Sequence, residues 1–299
     1  MSKQFRENAL AWGVDGENWL ASIPSLITLY EKKWNIEVLP PFSLSYNYVA
    51  PAQRADGTRV VLKIGFPKDP EVQSEIRALT HFNGNGCVEI LESDSENSVF
   101  LLNAVEPGIP LSALEDDDQA TKIIAQTMKR LHQPLPKDHD FISVGAWATA
   151  LDRYKQRFTT RGPLPDKLID QAKELFHYLI ESSAAEVLVH GDLHHDNILT
   201  SAKHGWVAID PKGIAAEPAY EVAAMIRNPY EKLKSVVDLK PILIRRIKIL
   251  SQELNMQPER IQKWCIAQTV LSAIWNIESA KGAEHALRIA QTLVSLAVN

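Results

Sequence analysis

Asp192 and Asn197, within the stretch LVHGDLHHDNIL at positions 188–199, are polar residues whose types and spacing could serve catalysis. They lie five residues apart, a spacing that a tight loop between two strands accommodates better than one helix face does. Asp210 follows the apolar run WVAI and is expected at the end of a strand. Two carboxylates and an amide supply hard oxygen ligands, which favour Mg²⁺ over Zn²⁺. One carboxylate then remains to accept a proton.

These three residue types match the requirements of phosphoryl transfer. One aspartate accepts the proton of the attacking hydroxyl, while the asparagine and the second aspartate hold Mg²⁺, and protein kinases use the same D-x-x-x-x-N spacing. A lysine on an upstream strand and a glutamate on the next helix should then be present. Lys63 in VVLKIG and Glu75 in QSEIRAL occur in that order. Because Lys63 lies among apolar residues, its charge requires an ion pair with Glu75 or a bound phosphate.

The elements that must position Lys63 and Glu75 are a hairpin and the helix after it. Strand-like runs at 42–51 and 58–66 are joined by the turn signal RADGT, which predicts a β-hairpin. Positions 69–82 carry acidic residues first and then apolar residues at helical spacing, and they end before the loop signal NGNG. Two further strand candidates lie at 87–94 and 98–105. The first hundred residues therefore predict a β-rich unit with one inserted helix.

The pattern changes at EPGIPLSALEDDD, where proline, glycine and an acidic run interrupt the periodicity. We therefore predict two units, residues 1–105 and residues 106–299. Helices dominate the second unit, although 187–210 returns to short strands with loops between them. The fold class predicted is α+β, with a small β-rich N-terminal lobe and a larger, mainly helical C-terminal lobe. The acidic run at 115–118 is interpreted as the solvated start of a helix.

Composition narrows the class of protein. The chain has 299 residues, of which 45% are hydrophobic and 23% charged, as in ordinary globular proteins. Its net charge of −5 and the lack of a Lys/Arg-rich block disfavour a nucleic-acid partner. Cys87 and Cys265 have no CxxC spacing, so buried thiols are expected. No apolar run reaches the roughly 18 residues of a membrane span, and we expect a cytoplasmic protein without a membrane partner.

Four segments together carry a family resemblance. VHGDLHHDNIL, AIDPKG, VVLKIG and the connector EPGIPL resemble the aminoglycoside phosphotransferase family of kinase-like enzymes. DPKG and the following PAYEVAAMIRNP most resemble its streptomycin and hydroxyurea phosphotransferase branch, and the similarity extends over almost the whole chain. The resemblance implies a two-lobed protein-kinase-like fold and the use of ATP and Mg²⁺. It also implies transfer of the γ-phosphate to a hydroxyl of a small, cationic molecule, for which streptomycin is the best candidate.

The resemblance also implies a role for each matching residue. Asp192 would be the catalytic base, and Asn197 and Asp210 would hold Mg²⁺. Lys63 would bind the nucleotide phosphates, and Glu75 would orient Lys63.

Further nucleotide contacts are expected in the first unit. The backbone from Asn103 to Val105 would contact the adenine. The loop expected to cover the phosphates, SLSYNYVAP, has no glycine. Ser45 and Asn47 could donate hydrogen bonds to phosphate in place of a glycine-rich loop.

Other polar residues near the predicted loop could have either a functional or a structural role. Glu217 and Glu221 closely follow the Asp210 strand and could pair with a cationic acceptor, although Glu221 could instead pack or cap a helix. His194 and His195 are adjacent, so in an extended segment they point to opposite sides and favour packing over metal binding. A histidine two residues before the base is expected to brace the loop through hydrogen bonds.

Three other functions stay open at this point. The protein could be a kinase of hydroxyurea or of another small metabolite, since acceptor pockets vary while the phosphate machinery is retained. It could be a nucleotide-binding module without transfer activity, which the absence of glycines in the phosphate loop would permit. Metal-dependent phosphate hydrolysis on the HGDLHHD histidines would require zinc or manganese and no ATP.

Overall fold

The chain divides into two compact units, Met1–Glu106 and Pro107–Asn299. The computed structural model describes residues 2–158, 162–279 and 281–297. The division falls inside the EPGIPL segment, where the apolar periodicity of the sequence is interrupted. That the two units act as separate functional lobes stays a prediction.

Two helices open the first unit, α1 (Lys3–Leu10) and α2 (Val14–Trp34). The hydroxyl of Ser2 caps α1 by accepting a hydrogen bond from the Phe5 amide. Phe5 packs edge to face on Trp19 of α2, with ring centroids 5.5 Å apart. Both side chains belong to the hydrophobic core that α1 and α2 share with the neighbouring sheet.

The sheet of the first unit has five antiparallel strands in the order β1-β2-β3-β5-β4. They are β1 (Ile36–Val38), β2 (Tyr48–Arg54), β3 (Arg59–Ile64), β4 (Ile90–Asp94) and β5 (Val99–Asn103). The predicted hairpin is confirmed as β2 and β3, and its turn is closed by Asp56, whose carboxylate accepts from the Thr58 amide at 2.9 Å. The first strand of the hairpin starts later than predicted. The carbonyls of Leu44 and Ser45 accept hydrogen bonds from side chains of the α1 segment instead of from a strand.

The predicted helix after the hairpin is α3 (Pro70–Phe82). Asp69 caps it by accepting from the Glu71 amide at 2.9 Å, and Pro70 occupies its first turn, where a missing amide proton costs nothing. The helix ends at Asn83, which adopts the left-handed conformation. Apolar residues of α3 are buried together with Glu75, so the helix directs one acidic side chain into the interior.

Eight helices are described in the second unit. They are α4 (Asp117–Leu131), α5 (Val144–Arg157), α6 (Asp166–Glu181), α7 (Val222–Ile226), α8 (Tyr230–Leu233), α9 (Lys240–Leu254), α10 (Pro258–Glu278) and α11 (Glu284–Val294). Helix α10 is buried around most of its circumference, and it packs against α5, α6, α7, α9 and α11. None of the helices in the described part of the chain combines the length and the apolar character that a membrane span requires. Both cysteines are free and buried, as predicted.

Two small sheets in this unit position the predicted catalytic loop. One has the strand order β11-β10-β6, and the other β7-β9-β12-β8. Their strands are β6 (Pro107–Pro110), β7 (Gln133–Pro134), β8 (Ile142–Ser143), β9 (Val187–Val189), β10 (Ile198–Ser201), β11 (Gly205–Ala208) and β12 (Ile214–Ala216). The loop that contains Asp192 and Asn197 connects β9 to β10, and Asp210 lies between β11 and β12. Since β9 pairs with β12 and β10 pairs with β11, the two connections run side by side.

The acidic run at the start of α4 is only partly a solvated cap. Asp116 caps the helix as expected, accepting from the amides of Asp118 and Gln119 at 3.0 Å each. Asp117, in contrast, forms an ion pair at 2.6 Å with Arg246, whose side chain is 1% exposed. The prediction of a solvated run is therefore wrong for Asp117, because the buried guanidinium of Arg246 on α9 requires a carboxylate partner.

Replacing Asp117 with Ala is expected to lower the free energy of unfolding by about 3 kcal/mol, because Arg246 would keep a buried charge without its carboxylate. Urea denaturation measures this change. The matched control is Asp118→Ala, which removes an exposed partner of Arg245 and should cost less than about 1 kcal/mol. Equal losses in the two variants would contradict the buried ion pair as a stabilising contact.

Candidate active site

In the first unit, Lys63 and Glu75 form a buried ion pair. The Lys63 Nζ lies 2.6 Å from Glu75 Oε1, and the two side chains are 3% and 8% exposed. Lys63 is on β3 near the middle of the sheet, opposite Phe100 of β5, whose ring centre is 5.6 Å from Nζ. Lys63 lies among apolar residues and therefore needs a carboxylate partner, and Glu75 of α3 supplies it. Contact of Lys63 with nucleotide phosphates stays a prediction.

The other nucleotide-contacting residues predicted in this unit lie at strand ends. Ser45 is exposed and Asn47 is half-buried in the irregular segment before β2. Asn103 is the last residue of β5, and its Nδ2 donates to Glu89 at 2.5 Å. Val105 follows without regular secondary structure. Since the Asn103 amide is engaged by Glu89, an adenine contact at 103–105 would have to come from the backbone.

In the second unit, His190 braces the predicted catalytic loop as expected. Its ring is fully buried, with Nε2 2.8 Å from the carbonyl of Ile209, while Nδ1 accepts from the Asp192 amide at 3.3 Å. Burial lowers the pKa of His190 to about 4. The ring is therefore neutral near pH 7, when one nitrogen donates and the other accepts.

Backbone hydrogen bonds join the β9–β10 loop to the segment that carries Asp210. The amides of Lys212 and Gly213 donate to the His190 carbonyl at 2.7 and 3.2 Å. The Ile209 amide donates to the carbonyl of Asn197 at 2.9 Å. Asp210 lies between these contacts and has a φ of 60°, in the left-handed region that aspartate tolerates better than most residues. The structure thus brings together the connections that hold Asp192, Asn197 and Asp210.

The loop depends on a glycine at 191. Gly191 has a φ of 86°, and a Cβ at this position would lie 2.6 Å from Cγ1 of Ile214 on β12. Only glycine allows this close approach between the loop and the neighbouring strand. The glycine of the HGD sequence is therefore required by the geometry of the loop, independently of any catalytic role of its neighbours.

Asp192 has the surroundings of an ionised carboxylate. Its Oδ1 lies 3.5 Å from Nη2 of Arg227, and its Oδ2 lies 3.8 Å from Nε2 of His194. Burial acts to raise the pKa of the Asp192 carboxyl, but the positive charges of His194, Arg227 and Lys212 outweigh it and hold this pKa below its usual value. The side chain is one third exposed. An accessible carboxylate that is ionised at neutral pH can accept a proton from a hydroxyl.

Asn197 is oriented by the same loop. Its Nδ2 donates to the carbonyl of Asp192 at 3.0 Å, which leaves Oδ1 as the atom that can bind a cation. The side chain of Asp210 is exposed. An amide oxygen and a carboxylate on adjoining connections are the hard ligands that Mg²⁺ prefers.

Glu217 and Glu221, predicted to face a cationic acceptor, are engaged elsewhere. Both carboxylate oxygens of Glu217 bind the guanidinium of Arg260, with Oε2 at 2.6 Å from Nη2. Glu221 is fully buried and accepts hydrogen bonds from the amides of His190 and Gly191, and burial raises its pKa to about 7. The structure corrects the expectation for both residues, because one carboxylate is neutralised by an arginine and the other supports the loop backbone.

The two adjacent histidines have different surroundings. His194 lies between the carboxylates of Asp192 and Asp196, 3.8 Å from each. His195 is buried, and burial and then the charge of Arg246 lower its pKa to about 3. Within residues 2–158, 162–279 and 281–297, no three His, Cys, Asp or Glu side chains are grouped so as to hold a metal ion.

Sequence reasoning missed one charged residue of this site, Arg227. It follows the buried helix α7, in the apolar context AAMIRNP, and its side chain is 12% exposed. The rule that identified a partner for Lys63 applies here too, because an arginine among apolar residues requires an acceptor. Its partner could not be named from spacing, since Asp192 lies 35 positions earlier in the chain.

The buried histidines predict loss of stability in weak acid. The pKa values of His132, His190 and His195 are lowered by burial to about 4, 4 and 3, below the ordinary value near 6.5. The unfolded chain therefore binds more protons as the pH falls from about 6.5 to 4. Their stabilising effect is present above pH 6.5 and is lost within that window. Glu221, with its raised pKa, acts in the opposite direction and offsets about one histidine.

The net effect is a free energy of unfolding that falls by at least about 1.4 kcal/mol per pH unit between pH 6 and pH 5, the slope for one proton. Urea unfolding at pH 7, 6 and 5 measures it. His177→Gln, which changes an exposed histidine of α6, is the matched control for the removal of a histidine from the surface. A free energy of unfolding independent of pH over this range would show that the buried histidines do not titrate as described.

Comparison with known proteins finds relatives along most of the chain. A model of the family described as aminoglycoside/hydroxyurea antibiotic resistance kinase matches residues 35–280. A streptomycin 6-kinase from Streptomyces glaucescens is 27% identical, over 95% of this chain and 94% of that protein. A hydroxyurea phosphotransferase from Kitasatospora aureofaciens is also 27% identical, over 95% of this chain and 83% of that protein.

The fold also matches solved structures of kinases. The crystal structure of the choline kinase LicA from Streptococcus pneumoniae superposes with a TM-score of 0.65 at 16% identity, over 91% of this chain and 99% of that one. The predicted kinase-like α+β fold is therefore confirmed. The family model and the two relatives confirm the predicted activity class, a small-molecule kinase. With the family model matching most of its length, the chain belongs to the aminoglycoside/hydroxyurea antibiotic resistance kinase family.

Proposed function

We propose that this protein transfers the γ-phosphate of ATP to a hydroxyl of a small molecule, with streptomycin as the first acceptor to test. The observation that carries the proposal is that the β9–β10 loop, with Asp192 and Asn197, is hydrogen-bonded to the β11–β12 connection, with Asp210. Within the loop, the Asn197 side chain also donates to the carbonyl of Asp192. Relatives that are a streptomycin 6-kinase and a hydroxyurea phosphotransferase support the acceptor class.

In this proposal Asp192 acts as the general base. Its carboxylate would accept a hydrogen bond from the attacking hydroxyl, orient it, and take its proton as the bond to phosphorus forms. The pKa of the Asp192 carboxyl is held below its usual value, with Arg227 among the charges that lower it, so the base is ionised at neutral pH. The backbone of the loop is supported by Glu221, which leaves the Asp192 side chain to meet the acceptor.

Asn197 and Asp210 would hold Mg²⁺ when nucleotide binds. The arrangement fits this ion, because the Asn197 nitrogen is engaged by the Asp192 carbonyl and its oxygen remains for a cation. One amide and one carboxylate leave the remaining coordination positions to phosphate oxygens and water, as is common for Mg²⁺. Bound Mg²⁺ would neutralise negative charge on the phosphates. In the first unit, Lys63, which Glu75 holds, would bind nucleotide phosphates.

The test is an acceptor panel with the purified protein, MgATP and each of streptomycin, hydroxyurea and other hydroxylated metabolites. ADP release and the mass of the product identify the acceptor and the gain of one phosphoryl group. A phosphorylated streptomycin would support the proposal as stated. ATP binding without a phosphorylated product from any member of a broad panel would favour a non-catalytic nucleotide-binding module instead.

A second acceptor, hydroxyurea, is favoured by a specific observation. The two carboxylates expected to bind a cationic acceptor are occupied, Glu217 by Arg260 and Glu221 by loop amides. The charged groups that meet Asp192 include the cationic Arg227. A small uncharged hydroxyl compound would therefore approach Asp192 more easily than a guanidinium would. Product formed from hydroxyurea but not from streptomycin would select this alternative.

A further inference from the structure

We propose that Arg227 is a positioning residue that aims the carboxylate of Asp192 at the acceptor hydroxyl. The inference rests on the proposed function, since it takes Asp192 to be the base. The Nη2 atom of Arg227 lies 3.5 Å from Oδ1 of Asp192. At this distance the guanidinium attracts the carboxylate as an ion pair without consuming the lone pairs of Oδ2.

Contacts with residues other than Asp192 fix the position of Arg227. Its Nη1 donates to the carbonyl of Ala223 at 2.9 Å and to Oε1 of Gln268, which is buried on α10. Its backbone carbonyl accepts from Nε2 of His285 at 2.8 Å. Contacts from α7 and α10 therefore hold the guanidinium, and a contact from α11 holds the backbone of the same residue. A rigid second layer of this kind is what keeps a reacting group within a narrow range of positions.

The partner on α10 distinguishes Arg227 from the buried Arg246 and the half-buried Arg260 of the same unit. Arg246 and Arg260 are each neutralised by a carboxylate that binds them with both oxygens, Asp117 and Glu217. Arg227 donates instead to the neutral side-chain amide of Gln268, which orients the guanidinium without neutralising its charge. The carboxylate near this charge is that of Asp192. The arrangement is the one expected when an arginine serves another residue rather than closing a structural ion pair.

Fixing Oδ1 restricts the rotation of the Asp192 carboxylate. The second oxygen, Oδ2, is then held where it can accept the proton of a hydroxyl. Small displacements of a general base carry large costs in rate, on the order of 100-fold for about 1 Å. Loss of Arg227 should therefore lower kcat while nucleotide binding, which the proposal assigns to other residues, is retained.

The experiment compares Arg227→Ala and Arg227→Lys with wild type, using the acceptor found in the panel. We expect kcat to fall about 100-fold in Arg227→Ala, with the KM for ATP within about threefold of wild type. The kcat of Arg227→Lys should be about tenfold higher than that of Arg227→Ala, because lysine restores the positive charge but not the planar guanidinium with its several donors. Millimolar guanidinium chloride should raise kcat of Arg227→Ala by filling the vacated position, and a merely structural defect would not respond in this way.

The matched control is Arg288→Ala. Arg288 also donates to backbone carbonyls, those of Val236 and Leu233, without meeting Asp192. The kcat per folded molecule of Arg288→Ala should stay within about twofold of wild type and should not respond to guanidinium. A loss of kcat in Arg288→Ala equal to that in Arg227→Ala would overturn the proposal. So would a loss in Arg227→Ala that lies wholly in KM or that neither lysine nor guanidinium repairs.

A second variant decides the matter if Arg227→Ala does not fold. Gln268→Leu keeps the arginine and removes only its side-chain tether, so kcat should fall about five- to tenfold without a response to guanidinium. An unchanged kcat in this variant would overturn the positioning role. Failure of the proposed function is a separate result, because it is read on the wild type as the absence of phosphorylated product from any acceptor.

Discussion

Replacing Asp192 with Asn is expected to reduce kcat by about 10³-fold while ATP binding is retained. Asparagine has the shape of aspartate but cannot take a proton from the acceptor hydroxyl. The loop backbone should keep its form, because the hydrogen bonds that shape it at this position involve the amide and carbonyl of Asp192, while its carboxylate contacts Arg227 and His194. The Asp192 amide donates to His190, and the Asp192 carbonyl accepts from Asn197.

Three measurements test this expectation. ADP release with the identified acceptor gives kcat, titration with a fluorescent ATP analogue gives the affinity for nucleotide, and urea denaturation checks that the variant is folded. The matched control is Asp196→Asn, which changes an exposed acid four positions away in the same loop and should keep kcat within about twofold. An Asp192→Asn enzyme that retained more than about a tenth of wild-type kcat would exclude Asp192 as the base.

Replacing Lys63 with Met is expected to lower kcat/KM for ATP by about 10²-fold or more, and also to destabilise the protein by about 3 kcal/mol. The first effect follows if Lys63 binds phosphate oxygens. The second follows because the carboxylate of Glu75, which is 8% exposed, would lose its lysine. The two effects have different causes and can be separated.

The double variant Lys63→Met, Glu75→Leu makes the separation. Removing both charges replaces a buried ion pair with apolar groups, which is often neutral for stability, so the free energy of unfolding should return close to that of wild type. ATP-dependent transfer should stay low, since no lysine is restored. Urea denaturation and kcat/KM are measured on the same preparations. Lys68→Met, which alters an exposed lysine paired with Asp15 in the same unit, is the control and should change neither quantity.

Recovery of transfer in the double variant would contradict the assigned role. It would mean that Lys63 serves only to neutralise Glu75 and that the phosphates are bound by other groups. Retained transfer in Lys63→Met alone would lead to the same conclusion. Low activity with restored stability is the result that places Lys63 in the nucleotide site.

Short-range signals in the sequence were sufficient for the elements that carry these residues. The RADGT turn predicted the hairpin that contains Lys63, and the acidic first turn of 69–82 with apolar spacing after it predicted α3, which Asp69 caps in the structure. Hairpin turns and helix caps involve residues a few positions apart, so their hydrogen bonds can be inferred from the local sequence. The start of β2 was missed because carbonyls before it bind side chains of the α1 segment, about 40 positions away.

The sequence by itself also determined which residues could perform the chemistry. Asp192, Asn197, Asp210, Lys63 and Glu75 were all found by residue type, order and spacing. A charged residue among apolar neighbours must have a partner, and the loop motif lies within one short segment, so both can be recognised in the local sequence. The catalytic roles of these residues stay a prediction. The partner of Lys63 was correctly named for the same reason, since α3 directly follows the hairpin.

The tertiary structure alone decided what the remaining charges do. Glu217 meets Arg260, 43 positions later, and Asp117 meets Arg246, 129 positions later. Arg227 meets Asp192 and is held by Gln268, 41 positions later on α10. The chemical role of a carboxylate or a guanidinium depends on which donors, acceptors and charges surround it. Those neighbours are set by how helices distant in sequence pack together, and no local pattern records them.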